Sequence, residues 1–301
     1  MMQMALSNAV HPEYGVVTIP FPIPEEEYGH CLELLEALEI GNAVNRDCKV
    51  QEVQDGPPIL KRLEGSRVNL DELDYLAKRL DSFTDQELAQ FQSAAVSYDY
   101  SDIVDLINLT FCCQQATVIT DFSDLSAIGR NHYMNLHGGS ASVDELNALD
   151  GKGTARQLIE SGSGTITPYG VVYDNGMQLR PVYDGQNFPL YQHQDAVLVL
   201  GLTHESDLDM NSATTWLFLP ASAERLERAL KRGGFEPGSS IHCTCVGGNI
   251  QEELEARLDF ERESLKNLNT FASAIASIDE AQHAKFKTVI QMANPQSAAE
   301  R

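Results

Sequence analysis

One uninterrupted run, Asn69–Leu109, constrains the fold more than any other part of the chain: NLDELDYLAKRLDSFTDQELAQFQSAAVSYDYSDIVDLINL. Leu70, Leu73, Leu76, Ala77 and Leu80 recur at helical spacing. Asp71, Glu72, Asp74 and Asp81 fall on the other faces, relieved only by Lys78 and Arg79. A second helix opens at Thr84, where Glu87 completes a T-x-x-E capping box that supplies acceptors to two amides lacking helical partners. Its buried side is Leu88, Phe91 and Ala95. A third helix from Ser101 buries Ile103, Leu106 and Ile107 and turns Asp99, Asp102 and Asp105 away. The run predicts a compact helical unit with a carboxylate-rich exterior.

That acidity is a property of the whole chain, unevenly spread. The net charge over 301 residues is −23. Residues 1–150 hold 25 Asp/Glu against 8 Lys/Arg, and residues 151–301 hold 19 against 13. Such a balance argues against binding DNA or an anionic membrane directly, because phosphate contacts need Lys and Arg. It favours a basic partner, or solubility alone. The longest apolar run, Ala196–Leu202, is of strand length, so no membrane span is expected. MMQMALSNAV lacks a secretory n-region, and six cysteines do not make a disulfide scaffold, which together predict a cytoplasmic protein.

In chain order, residues 1–12 read as a loose arm. Gly15–Ile23 reads as an edge strand, because Val17, Ile19, Phe21 and Ile23 alternate while Pro20 and Pro22 interrupt. Pro24 opens a helix with Glu25, Glu26 and Glu27 in its first turn, where carboxylates suit the dipole. Its buried stripe is Cys31, Leu34, Leu35 and Leu38, and its opposite stripe Glu26, Glu33 and Glu36. Asp47–Val53 is a second strand. Residues 114–120 read as a short strand and 123–135 and 142–161 as helices, the last opened by a Ser142/Glu145 capping box. Asn175-Gly176 signals a hairpin turn between apolar runs. Residues 186–194 read as a linker and 195–203 as a buried strand.

The opening pattern then returns. Ser212–Leu219, Pro220 and a helix to Arg232 match Val16–Ile23, Pro24 and its helix at an offset of 196, with Leu34 on Leu230. At an offset of 195, Cys48 falls on Cys243, Val50 on Cys245, and Leu70, Leu73, Leu76 and Phe91 on Leu265, Leu268, Phe271 and Phe286. The Thr84/Glu87 cap falls on Asp279/Gln282. This reads as a duplicated strand–helix–strand–helix–helix module. The predicted class is α+β, with two small sheet–helix modules and a helical and β-hairpin middle. The divisions are a first module over 1–66, an acidic helical domain over 67–161, a hairpin region and linker over 162–194, and a second module over 195–301 repeating 15–97.

No catalytic or metal signature emerges. His242-Cys243-Thr244-Cys245 puts two thiols on one face of a strand, but a structural zinc site wants C-x-x-C and a second ligand pair. Core filling is the reading for both. Tyr191, His193 and Asp195 share a face without an identifiable nucleophile. Gly162-Ser163-Gly164 lacks the Lys-Ser/Thr of a phosphate loop. Trp216, the only tryptophan, reads as core. His132 and His137 read as surface residues beside a Gly-rich turn. Neither a catalytic residue nor a metal or cofactor is therefore expected. For the carboxylates, duplex DNA carries one charge per ~1.7 Å of axis and a helix rises ~1.5 Å per residue. Acidic residues three or four apart can therefore be laid at phosphate-like separations, though a solvated helix face is the commoner meaning.

The run LDELDYLAKRLDSFTDQELAQFQSAAVSYDYSDIVDLINLT, with its D-I-x-D-L-I-N-L-T segment at Asp102–Thr110, resembles the ArdA-type antirestriction proteins of conjugative elements, as does GTITPYGVVYDNG at Gly164–Gly176. The resemblance spans roughly residues 13–186. It implies an elongated, often dimeric mimic of double-stranded DNA that occupies the basic groove of type I restriction–modification enzymes, with no cofactor, no catalysis and no direct nucleic-acid binding. Carried over by position, the mimic residues are Asp99, Asp102 and Asp105, preceded by Asp71, Asp74, Asp81, Asp85 and Glu87. The acidic stripe Glu26, Glu33 and Glu36 extends them.

Overall fold

The computed structural model describes residues 2–177, 181–191, 196–204, 214–250, 255–256, 258–260 and 262–278. It is an α+β protein with three small antiparallel sheets. The chain divides into two compact units, Met1–Asp184 and Gly185–Arg301. The segments expected as separate over 1–66, 67–161 and the start of 162–194 thus share one unit. Among the described residues no helix is long and apolar enough to cross a membrane.

The first unit opens with a strand where a loose arm was expected. β1 (Met2–Asn8) pairs with β2 (Val16–Phe21) on one side and β3 (Cys48–Gln54) on the other, and β4 (Arg67–Val68) completes the order β2-β1-β3-β4. Met2, Met4 and Leu6 alternate onto the core face, the last two fully buried against Ile19, Phe21 and Val50. The segment escapes a sequence reading because Met, Gln, Ala and Ser carry little strand propensity, and burial between two strands overrides it.

α1 (Tyr28–Glu36) follows a short 3₁₀ turn at Glu25–Glu27. It buries Tyr28, Cys31 and Leu35, while Leu34, expected in the buried stripe, is exposed. α2 (Leu70–Asp81), α3 (Asp85–Ser97) and α4 (Ile103–Leu109) are the predicted acidic helices. The Thr84/Glu87 box caps α3, and a second box, Asn69 with Glu72, caps α2. The expected helix over 142–161 is two: α6 (Val143–Ala148), capped by Ser142 and Glu145, and α7 (Gly151–Ser161) after an Asp150 cap.

α5 (Leu125–Leu136) and α7 pack on a sheet of order β5-β7-β6, built from β5 (Ala116–Ile119), β6 (Thr165–Thr167) and β7 (Gly170–Asp174). The hairpin turn is at residues 168–169, not at Asn175-Gly176. β7 already has β5 and β6 on its two edges, so no strand can return onto it after Asn175. Instead the Asn175 amide donates to the Gln114 carbonyl and its oxygen accepts from the Thr117 hydroxyl. Thr117 also bonds His132 and Asn135, so His132 is half-buried in a polar cluster and not a surface residue; burial lowers its pKa.

The second unit has the order β10-β8-β9, from β8 (Leu198–His204), β9 (Thr215–Leu219) and β10 (Ile241–Gly247), with α8 (Ala223–Arg232) and α9 (Leu265–Ser277). The central strand is again the first, as in β2-β1-β3. Leu6 pairs with Val17 and Val50; Leu202 pairs with Thr215 and Cys243. A register shift falls between the pairs made by Val50 and Glu52 in β3 and between those made by Cys245 and Gly247 in β10, positions related by the expected offset of 195. Pro22 and Pro220 each follow a cis bond at a strand end. In the helix that follows, Leu35 and not Leu34 corresponds to Leu230. Each accepts from the amide five residues on, Ile40 or Phe235, across a left-handed residue, Glu39 or Gly234. Asn69 and Ser264 cap the helices α2 and α9. The counterparts proposed for Thr84, Glu87 and Phe91 lie outside the described residues.

Trp216 is not in this core. Leu217 and Leu219 face inward, so Trp216 and Phe218 take the opposite face. The Trp216 ring lies over Gly201, where a Cβ would meet it at 2.8 Å.

Candidate functional site

Helix geometry explains why most of the candidate carboxylates meet solvent. With apolar residues of α1, α2, α3 and α4 turned inward, the polar positions between them point out. Glu26, Glu33, Glu36, Asp81, Asp85, Glu87, Asp99, Asp102 and Asp105 are all exposed, and Asp71 is half-buried. Asp74 departs from the expectation. It is buried, accepts the Ile23 amide at 2.8 Å and pairs with Lys78 at 2.9 Å. Its helix face packs against β2, where it accepts the amide just after the strand end, so its role is structural.

Several exposed carboxylates are also committed locally. Glu87 accepts from the Thr84 amide and hydroxyl. Asp99 has a left-handed backbone (φ 56°) and pairs with Arg62 at 3.0 Å. Arg62 reaches the Tyr100 carbonyl as well and so closes the end of α3. Asp102 caps α4 through the Val104 amide and lies 3.5 Å from Arg46. Asp105 has no such tie. Its carboxyl is raised above the usual range, first by partial burial and then by the charge of Asp102.

Beneath this surface is a buried ionic cluster that sequence reasoning missed. Glu72 is 1% exposed. Its carboxylate takes two hydrogen bonds from Arg46, at 2.9 and 2.8 Å, one from the Tyr183 hydroxyl at 2.9 Å and one from the Asn69 amide at 3.2 Å. Burial opposes the charge on Arg46, but the hydrogen bonds and charge of Glu72, with Asp102 behind them, outweigh it and raise the guanidinium pKa. The Asn-x-x-Glu spacing before Leu73 could have announced the cap. Nothing local announces Arg46 or Tyr183, which are distant in sequence.

The D-I-x-D-L-I-N-L-T segment is largely a clamp. Asn108 donates to the Val104 and Tyr183 carbonyls and accepts from the Val182 and Tyr183 amides, both at 2.8 Å. The Thr110 carbonyl accepts from Arg79 at 3.0 Å, and that guanidinium stacks 4.4 Å from the Phe111 ring. Of the three aspartates in and beside the segment, only Asp105 makes neither a cap nor an ion pair among the described residues.

This has a measurable consequence. A carboxyl whose folded pKa is raised is protonated more readily folded than unfolded, so its ionisation costs stability as pH rises through that range. Asp105→Asn is expected to raise the urea midpoint at pH 7, with the gain vanishing below the ordinary carboxylate pKa. An unchanged or lowered midpoint at neutral pH would contradict the assignment.

Among the described residues the remaining motifs do not form a site. Burial pushes the Cys243 thiol up to about 11 and also raises Cys245. Among the described residues no three metal-ligating side chains converge. Tyr191 packs on Phe218 with ring centroids 5.1 Å apart, while His193 and Asp195 lie outside the described residues. No protein-family model, curated protein or solved structure matches the chain.

Proposed function

We propose that this chain is an antirestriction protein of the ArdA type, an acidic mimic of double-stranded DNA that blocks type I restriction–modification enzymes in the cytoplasm. It works by occupation, without catalysis or cofactor. The observation that carries the reading is that nine of the eleven candidate carboxylates are solvent-exposed, on or at the ends of helices and turns whose other faces are apolar. Its partner is the basic DNA groove of the restriction subunits, and charge complementarity steers the encounter, so binding weakens with salt.

The test is DNA cleavage by a purified type I enzyme with increasing amounts of this protein. Wild type is expected to inhibit, less so at higher salt. A variant carrying Glu26→Gln, Glu33→Gln, Glu36→Gln, Asp81→Asn and Asp105→Asn is expected to fold and to lose most inhibition, since among the described residues none of these makes a cap or a salt bridge to Lys or Arg. Wild type that leaves cleavage untouched removes the proposal. A second reading is a mobile-element accessory protein that binds another protein without mimicry. It draws on the pairing of Asp99 and Asp102 with Arg62 and Arg46, which masks part of the charge. Capture of an unrelated protein, with cleavage unaffected, would favour it.

A further inference from the structure

The four-stranded sheet of the first unit has one face on the core and one turned away from it. Cys48, Val50 and Val68 are fully buried, so Lys49 in β3 and Arg67 in β4 project from the opposite face. The two are register partners, directly across the ladder from each other. Side chains so placed start about 5 Å apart, and like charges there are destabilising. Arg67 donates to the Ala9 carbonyl at 3.2 Å, which leaves most of its N–H groups available. Among the described residues neither cation pairs with a carboxylate, in contrast to Arg46, Arg62 and Lys78. Glu52, on the same face farther along β3, accepts from the Gln54 amide at 2.8 Å instead.

The row continues across the sheet without a charge. Lys49 lies opposite Ser7 of β1, and Ser7 opposite Val16 of β2. The Ser7 hydroxyl is buried and accepts from the Gln51 amide at 2.7 Å. Val16 is 59% exposed at the far end, and Arg67 is exposed at the near end. Ala5 and Ser7 give the centre of this face short side chains, between a cation pair on one side and an apolar residue on the other.

We propose that this row is a docking surface for an acidic segment of a partner protein, whose neighbouring carboxylates take Lys49 and Arg67 while an apolar residue covers Val16. Charge complementarity carries the choice: carboxylates convert the repulsion across the ladder into two charge-assisted contacts. The net charge of −23 decides among anions. Two copies of the chain repel each other, and a nucleic acid adds a row of phosphates that two cations cannot balance. A short segment with a few carboxylates meets the same cations with the least repulsion. The row lies on strands and not on the carboxylate-bearing helices, so the proposal does not rest on DNA mimicry.

The probe is a dye-labelled peptide of glutamates around a central valine, titrated into the full chain at low salt, with a control in which glutamines replace the glutamates. Saturable binding of the first is expected, with the control at least about tenfold weaker, as the loss of charge-assisted contacts implies. Lys49→Gln with Arg67→Gln should weaken binding by a similar factor. Its urea midpoint should stay or rise, because the cross-strand repulsion is gone. Lys49→Arg with Arg67→Lys keeps both charges and should keep binding. Arg130→Gln with Lys152→Gln removes the same charge from exposed positions on α5 and α7 and should leave affinity unchanged. No saturable binding, equal affinity for the two peptides, or an equal loss in the Arg130/Lys152 variant overturns the proposal. Tighter binding of an oligonucleotide of matched charge, or self-association abolished by the Lys49/Arg67 variant, overturns the choice of occupant. None of these readouts involves a restriction enzyme, so this proposal and the antirestriction reading fail separately.

Discussion

Arg46→Ala is expected to destabilise the first unit by about 3–5 kcal/mol, because it leaves the Glu72 carboxylate buried without its counter-charge. Glu72 is 1% exposed and loses two charge-assisted hydrogen bonds at once, retaining only Tyr183 and Asn69. Exposed pairs such as Arg62 with Asp99 contribute at most about 1 kcal/mol, so burial and not the number of ion pairs decides the size of the effect. Arg46→Lys keeps the charge but loses the two-pronged geometry and should fall between. Double replacement of Arg46 and Glu72 by apolar residues should recover much of the loss, since an uncompensated charge is what costs most. Urea unfolding of the four proteins measures this. A single Arg46→Ala loss below about 1 kcal/mol would mean that water reaches Glu72.

Gly129→Ala should destabilise the α5–α7 pair by about 3 kcal/mol or more, against the usual helical gain of roughly 1 kcal/mol from removing a glycine. A Cβ at Gly129 would lie 1.9 Å from the Gly151 carbonyl oxygen, and one at Gly151 would lie 2.7 Å from that of Ser126. Both obstacles are backbone, so no rotamer change relieves them. The two helices would have to separate and open the cluster of Ile119, Ile128, Ala155, Leu158 and Tyr173. A Gly29→Ala control, where the added Cβ meets nothing within 4 Å, should be neutral or stabilising. If Gly129→Ala melts at the wild-type temperature, the close helix contact is wrong.

The first strand and the hairpin show how much of the fold could be read early. β2, β3 and the acidic helices follow from alternation and from helical spacing, signals held within a few residues. β1 carries the same alternation in Met2, Met4 and Leu6 but in residues with weak strand preference, so its place at the sheet centre is set by its neighbours. Asn175-Gly176 carries a strong turn signal, yet both edges of β7 are already filled. The candidate site divides the same way. That Glu26, Glu33, Glu36, Asp81 and Asp105 face solvent is a matter of helix phase. That Asp74 instead satisfies the Ile23 amide depends on a strand 51 residues away in sequence.

Sequence alone determined the α+β class, the acidic helices with their caps, and the outward phase of most carboxylates, because each is settled by interactions within a turn or two of chain. Only the tertiary structure decided the central place of β1, the Arg46–Glu72–Tyr183 cluster and the clamp made by Asn108. Those depend on which distant residues meet, and burial then makes an unpaired amide or charge too costly to leave.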